Sequence, residues 1–131
     1  MIIDILDNMC REVKQLSIKD SIAIHRKWLA SYAMNVKEIT GKWRTGEHHW
    51  EGFAKGMQDA YSGARALEFY KTQKTECFYV FDETGKSCFK CKSDVLPVFF
   101  NTGYDLYIMP EDSSWTMVFC HDNVIYFSKQ Q

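Results

Sequence analysis

Cys88-Phe89-Lys90-Cys91 is the sharpest chemical motif in the chain. Two thiols at this spacing supply half of a zinc site or a redox dithiol. A tetrahedral zinc site takes four ligands, usually from two such pairs, and the sequence holds no second C-x-x-C. On a strand, residues three apart point to opposite faces, so these thiols diverge. A redox dithiol opens a helix, where the dipole lowers the thiol pKa. This pair instead follows a Gly-containing hairpin turn, Asp82-Glu83-Thr84-Gly85. Structural cysteines are expected.

The histidines make two further clusters, His48-His49 after Glu47 and His121-Asp122 after Cys120. Adjacent histidines cannot both face one ion on a regular strand, and no H-E-x-x-H pattern is present. Cys120 and His121 also diverge as strand neighbours. A Cys–His couple would need a partner from elsewhere, such as Cys77 with His121. The expectation is turn or surface histidines, with no metal and no cofactor. Thr84-Gly85-Lys86-Ser87 has the ending of a phosphate-binding loop, but Val80 stands where its first glycine belongs and a strand follows. Lys37, Lys42 and Arg44 around Trp43 are types that stack on and hold single-stranded nucleic acid. With 16 Lys+Arg against 17 Asp+Glu, the chain lacks a nucleic-acid binder's basic excess.

The acids Asp105, Glu111, Asp112 and Asp122 all fall at strand ends or connections in the C-terminal half. They are expected to gather on one rim, with Trp115 as anchor and His121 alongside. An acidic face of this kind steers and docks a basic partner, raising the on-rate and fixing register. These six residues are the candidate partner-binding set.

The elements that must position them belong to one domain, residues 1–131. A length of 131 residues suits a single core. Surface scaling leaves about 7,200 Å² exposed, so about two-thirds of the unfolded chain's surface is buried without disulfides or a structural metal. The 46% hydrophobic and 15% aromatic content excludes disorder. No apolar run approaches the roughly 20 residues of a membrane span. Met1-Ile2-Ile3-Asp4 lacks the basic opening of a signal peptide. Five cysteines, an odd number at low density, read as reduced thiols in the cytoplasm.

Ile2, Ile5, Leu6, Met9, Cys10, Val13 and Leu16 follow helical spacing, which predicts a helix over residues 2–16. Ser17 or Asp20 caps a second helix, in which Ile18, Ile22, His25, Trp28, Leu29 and Tyr32 share a face. Together they predict an N-terminal helical hairpin. Residues 35–49 read as loop, Trp50–Ala54 as a short strand, and Ser62 as the N-cap of a helix through Tyr70. Strands follow at 77–81, 86–92, 104–109, 115–120 and 124–127, with a brief helix from Ser93 to Phe100. Helices first and strands late predict α+β, a mainly antiparallel sheet with two short helices.

Trp50-x-x-Phe53, Gly63-x-x-Ala66, Asp105-x-Tyr107, Ser114-Trp115-Thr116 and His121-Asp122 occur in this order. The series resembles a family of small bacterial proteins of uncharacterised function with the pattern W-x-x-F, G-x-x-A, D-x-Y, S-W-T and H-E. Arg26-Lys27-Trp28 is similar to an R-K-x-W element that opens many members. Asp122 replaces the family's glutamate, and Val124-Ile125-Tyr126-Phe127 replaces its Gly-Pro-aromatic ending. The resemblance implies an immunity (antitoxin) protein, not an enzyme, that neutralises a cognate toxin domain by binding it. It would do so as a monomer or weak homodimer, without contacting nucleic acid or membrane. The alternatives are a small cytosolic enzyme or metal-assisted hydrolase using His121 with neighbouring Asp and Cys residues, and a housekeeping interaction module.

Overall fold

The computed structural model describes residues 1–43 and 48–130. Seven strands form one sheet: β1 (Glu12–Gln15), β2 (Tyr61–Ser62), β3 (Cys77–Phe81), β4 (Cys88–Lys92), β5 (Leu106–Pro110), β6 (Trp115–Phe119) and β7 (Ile125–Lys129). Their order is β1-β4-β3-β5-β6-β7-β2, and every pairing is antiparallel. Five helices accompany them: α1 (Ile2–Met9), α2 (Ile18–Tyr32), α3 (Met34–Thr40), α4 (Glu51–Ala54) and α5 (Gly63–Lys71). The α+β class is as expected.

Both faces of the sheet are covered, so β5 and β6 are apolar at almost every position instead of alternating. On one face Phe78, Val80, Phe89, Cys91, Ile108 and Met117 pack with Leu6 of α1 and with Ala66 and Tyr70 of α5. On the other, Phe81, Cys88, Tyr107, Met109 and Val118 meet Trp28 and Tyr32 of α2, Val36 of α3 and Phe53 of α4. The period of two sorts successive strand residues between these two cores. Cys88 and Cys91 fall in different ones, as the spacing requires. The folded chain exposes 7127 Å², close to the surface its mass predicts.

α2 is tied to the sheet by directed bonds. Ser17 caps it, its side chain accepting from the Asp20 N–H at 3.1 Å. Trp28 Nε1 donates to Thr116 Oγ1 at 2.8 Å, and Tyr32 Oη donates to the Ser113 carbonyl at 2.6 Å. The Cys88 N–H donates to Ser21 Oγ at 3.1 Å. These bonds fix the helix against β4 and β6.

Four expectations change. The helix predicted over residues 2–16 ends at Met9. Cys10 is extended, and the next residues pair with β4 from Glu12↔Lys92 to Gln15↔Phe89, so no hairpin of two long helices forms. Strand pairing here overrides helical periodicity, because a sheet edge offered main-chain partners to a segment with few fully buried side chains. The segment read as loop from residue 35 carries α3, ended by Gly41 in the left-handed region. Trp50–Ala54 is a helical turn, and its Gly52 lets it approach α3, since a Cβ there would lie 2.6 Å from Val36 Cγ2. Residues 93–100 form no helix. The Ser93 hydroxyl instead donates to the Val95 carbonyl at 2.5 Å, closing a local turn.

Candidate functional site: a histidine and carboxylate corner

Four chain segments meet where β3 and β6 end and β5 begins. His48, His49 and Trp50 form the turn that enters α4, Glu83 lies in the β3–β4 turn, Asp105 precedes β5 and His121 follows β6. His25 of α2 completes the set, its ring 5.1 Å from that of His49. All four histidines of the chain gather here.

Asp105 is the hub, with its side chain only 8% exposed. Its Oδ1 accepts from the His121 backbone N–H at 2.8 Å and lies 2.9 Å from His121 Nδ1. Its Oδ2 lies 3.1 Å from His48 Nδ1. One ligand atom each from His48, Asp105 and His121 falls within 4.8 Å of the other two. Tetrahedral coordination at zinc bond lengths sets such atoms about 3.4 Å apart. The spacing therefore admits one ion after small side-chain adjustments. The His121 side chain is 46% exposed.

Glu83 holds the other half in place. It accepts from the His49 backbone N–H and from Tyr107 Oη, the latter at 2.7 Å, and lies 3.2 Å from His49 Nδ1. Tyr107 Oη in turn accepts from the Trp50 N–H at 3.2 Å. Glu51 reaches back to accept from the His48 N–H at 2.9 Å, as in a capping box. Burial first, and then the Glu83 charge, raise the Tyr107 phenol well above its ordinary value, so it stays a neutral donor. The His48 ring stacks on Trp50 with planes 9° apart, and Trp50 stacks on Tyr126. The buried Trp50 Nε1–H has no acceptor among the described residues.

The corner does not include a reactive thiol. Cys120 borders it but is buried, and burial together with Asp105, Asp122 and Glu83 raises its pKa. The proposed Cys77 partner lies at the far end of β3, beside Glu111.

The six sequence-predicted residues are not brought together. Asp105, His121 and Asp122 lie at the end of the sheet just described, and Glu111 and Asp112 lie in the β5–β6 turn at the other. The five residues of β6 separate the two groups by about 16 Å. Glu111 is engaged locally, its carboxylate 3.4 Å from Lys90 Nζ and its carbonyl accepting from Lys27 at 2.5 Å. Trp115 is 3% exposed and stacks on Phe127, which makes it core and not an exposed anchor. There is thus no single acidic rim among these residues. Sequence reasoning weighed His48 and read it as a turn or surface histidine, and it passed over Glu83 and His25 as members of a site. Of the suggested nucleic-acid loop, Lys37 lies 4.3 Å over the Trp43 ring, and Arg44 is outside the described residues, as is Glu47.

Compared with family models, curated proteins and solved structures, the chain matches none of them. No helix among the described residues is long and apolar enough to cross a membrane.

Proposed function

We propose that this chain is a cytoplasmic metal-dependent hydrolase built on a single divalent ion of the zinc class held by His48, Asp105 and His121. One observation carries the reading: two imidazoles and a carboxylate from three distant segments lie within ligand distance of one another, and the His121 side chain is half exposed. Catalytic zinc sites keep three protein ligands and an open position, whereas closed sites with four are structural. A bound ion of this class supplies an activated water at neutral pH and polarises a carbonyl or phosphoryl oxygen.

The chain's own groups do the rest. Asp105 orients His121 through both its backbone and its ring, and Glu83 with Glu51 fixes the turn that presents His48. The same donor set suits Fe(II) and oxygen chemistry. That chemistry asks for a reductant, whereas hydrolysis asks only for water.

The test is titration of metal-free protein with Zn²⁺, Co²⁺ and Fe²⁺, read by equilibrium dialysis and by the cobalt absorption band. Hydrolysis of simple ester and phosphoester substrates is then measured with the ion bound. One ion per chain, lost in His48→Ala and in His121→Ala, with zinc-dependent turnover, supports the reading. Absence of stoichiometric binding at micromolar metal removes it. Iron-selective binding without hydrolysis replaces it with the oxygen chemistry.

A second reading is the toxin-neutralising immunity role that the resemblance implies, without catalysis. What supports it is the exposed turn His121-Asp122-Asn123-Val124, which offers an acid and an apolar side chain to a basic partner. Co-purification with a toxin domain that is lethal without this chain favours it. Loss of protection in Asp122→Lys locates the contact.

A further inference from the structure

Among the described residues the sheet ends at β1, a four-residue strand that pairs only with β4. The Leu16 N–H donates to the Cys88 carbonyl at 2.9 Å, which sets the phase of the ladder. Hydrogen-bonding pairs alternate along an antiparallel ladder, so Glu12 and Lys14 turn their main-chain groups toward β4. Val13 and Gln15 then direct theirs away from the sheet.

We propose that this edge pairs antiparallel with the same edge of a second copy, about a two-fold axis at Val13. In that register Val13 exchanges reciprocal N–H to carbonyl bonds with Val13 of the second copy, and Glu12 stands opposite Lys14 of the second copy. The strand is self-complementary in charge. An isologous contact brings each residue of the patch against its counterpart, so both opposite-charge pairs form at once. Lys14 faces the like charge of Lys90 across the existing ladder, an unfavourable pairing that an acid on its outer side offsets. Glu12 lies 3.7 Å from Lys92, so a row reading Lys90, Lys14, Glu12, Lys92 crosses the joined sheet.

Met9, three residues before β1, and Ile18, three residues after it, are 42% and 65% exposed. Charges on a short edge suppress indiscriminate pairing. They leave a strand with the complementary pattern, and this strand is its own complement. The contact is smaller than a standard interface of about 1,200–2,000 Å².

Sedimentation equilibrium of the full chain from 5 μM to 1 mM, at low salt, tests it, with amide exchange at Val13 and Gln15 as an independent readout. Concentration-dependent dimerisation with slower exchange at those two amides is expected. Glu12→Lys alone and Lys14→Glu alone each weaken it at least about 10-fold. An equimolar mixture of the two single variants restores it, because each copy then carries one sign. A chain that stays monomeric throughout overturns the proposal. So does a dimer indifferent to both reversals, or a mixture that fails to recover.

Discussion

Asp105 and His121 face each other across the β5–β6 hairpin, one carboxylate oxygen accepting from the His121 backbone N–H at 2.8 Å and lying 2.9 Å from its ring nitrogen. A nearly buried carboxylate that holds a half-exposed imidazole by backbone and ring together sets the ring's direction before any ligand arrives. The same carboxylate reaches His48 with its other oxygen.

Replacement of that oxygen donor tests the centre with little change of shape. Asp105→Asn is expected to lower zinc affinity at least about 100-fold, since even the outer partners of metal ligands contribute about 10–100-fold. Equilibrium dialysis reads the affinity, and a urea midpoint close to the parent's shows that the fold survived. Unchanged zinc binding would remove Asp105 from the site.

Glu83 is a positioning residue, tied to His49 and Tyr107 and 3.7 Å from His48 Nδ1. Glu83→Gln should weaken metal binding about 10–100-fold while one ion per chain still binds. The cobalt spectrum then shifts in shape as His48 is less firmly oriented. A spectrum and affinity identical to the parent's would mean that the turn is held by other contacts.

Trp28 is fully buried, and its Nε1 serves Thr116, whose hydroxyl donates on to the Ile108 carbonyl at 2.8 Å. Trp28→Phe removes bulk and leaves the Thr116 oxygen without its donor. The expected loss is about 2–4 kcal/mol in urea denaturation. A loss under about 0.5 kcal/mol would show that α2 repacks freely.

Gly85 has φ of 69°, and a Cβ there would lie 2.5 Å from the His25 ring. Gly85→Ala combines left-handed strain with a clash against a ring packed between the sheet and His49. The expected cost is at least about 2 kcal/mol, read as a lowered denaturation midpoint. Gly41, also left-handed but with open space around it, provides the control, with a smaller cost in Gly41→Ala.

Alkaline conditions should weaken the fold. Burial pushes the Cys88 thiol up to about 12, and burial likewise raises the Cys120 thiol and the Tyr70 and Tyr107 phenols. Unfolded, thiols ionise near about 8.5 and phenols near about 10. Folded values above unfolded ones mean that the native state keeps protons the unfolded state releases. The stability this contributes is complete below the unfolded pKa and is lost as pH rises toward the folded value. Each such group contributes a fall of about 1.4 kcal/mol per pH unit within its window. Denaturant midpoints measured from about pH 8 to about pH 11 should drop, and Cys88→Ala should flatten the slope by one group's share. A profile level across that range would contradict the burial of these groups.

Runs of aromatic and β-favouring residues marked β3 and β5 through β7, and polar–apolar alternation marked β4, because both cores demand apolar side chains from the two faces of the sheet. The cap at Ser17 and the divergence of Cys88 and Cys91 were equally local. Asp105 and His121 were within reach too. The pairing Leu106↔Phe119 extends by one residue to bring Asp105 against Cys120, with His121 next in line. Helical spacing failed for residues 2–16, where the edge of β4 captured Glu12–Gln15 as a strand.

Composition, runs of β-favouring residues and capping chemistry by themselves determined the α+β class, its later strands and the separation of its C-x-x-C thiols, since each follows from contacts between near neighbours or from the pleat. Only the tertiary structure decided that His48 and Glu83 approach Asp105 and that Glu111 stands at the far end of β6 from Asp122. Those distances depend on which strands sit side by side and where α4 docks. Such long-range choices come from burying two cores at once, and residue spacing along the chain does not encode them.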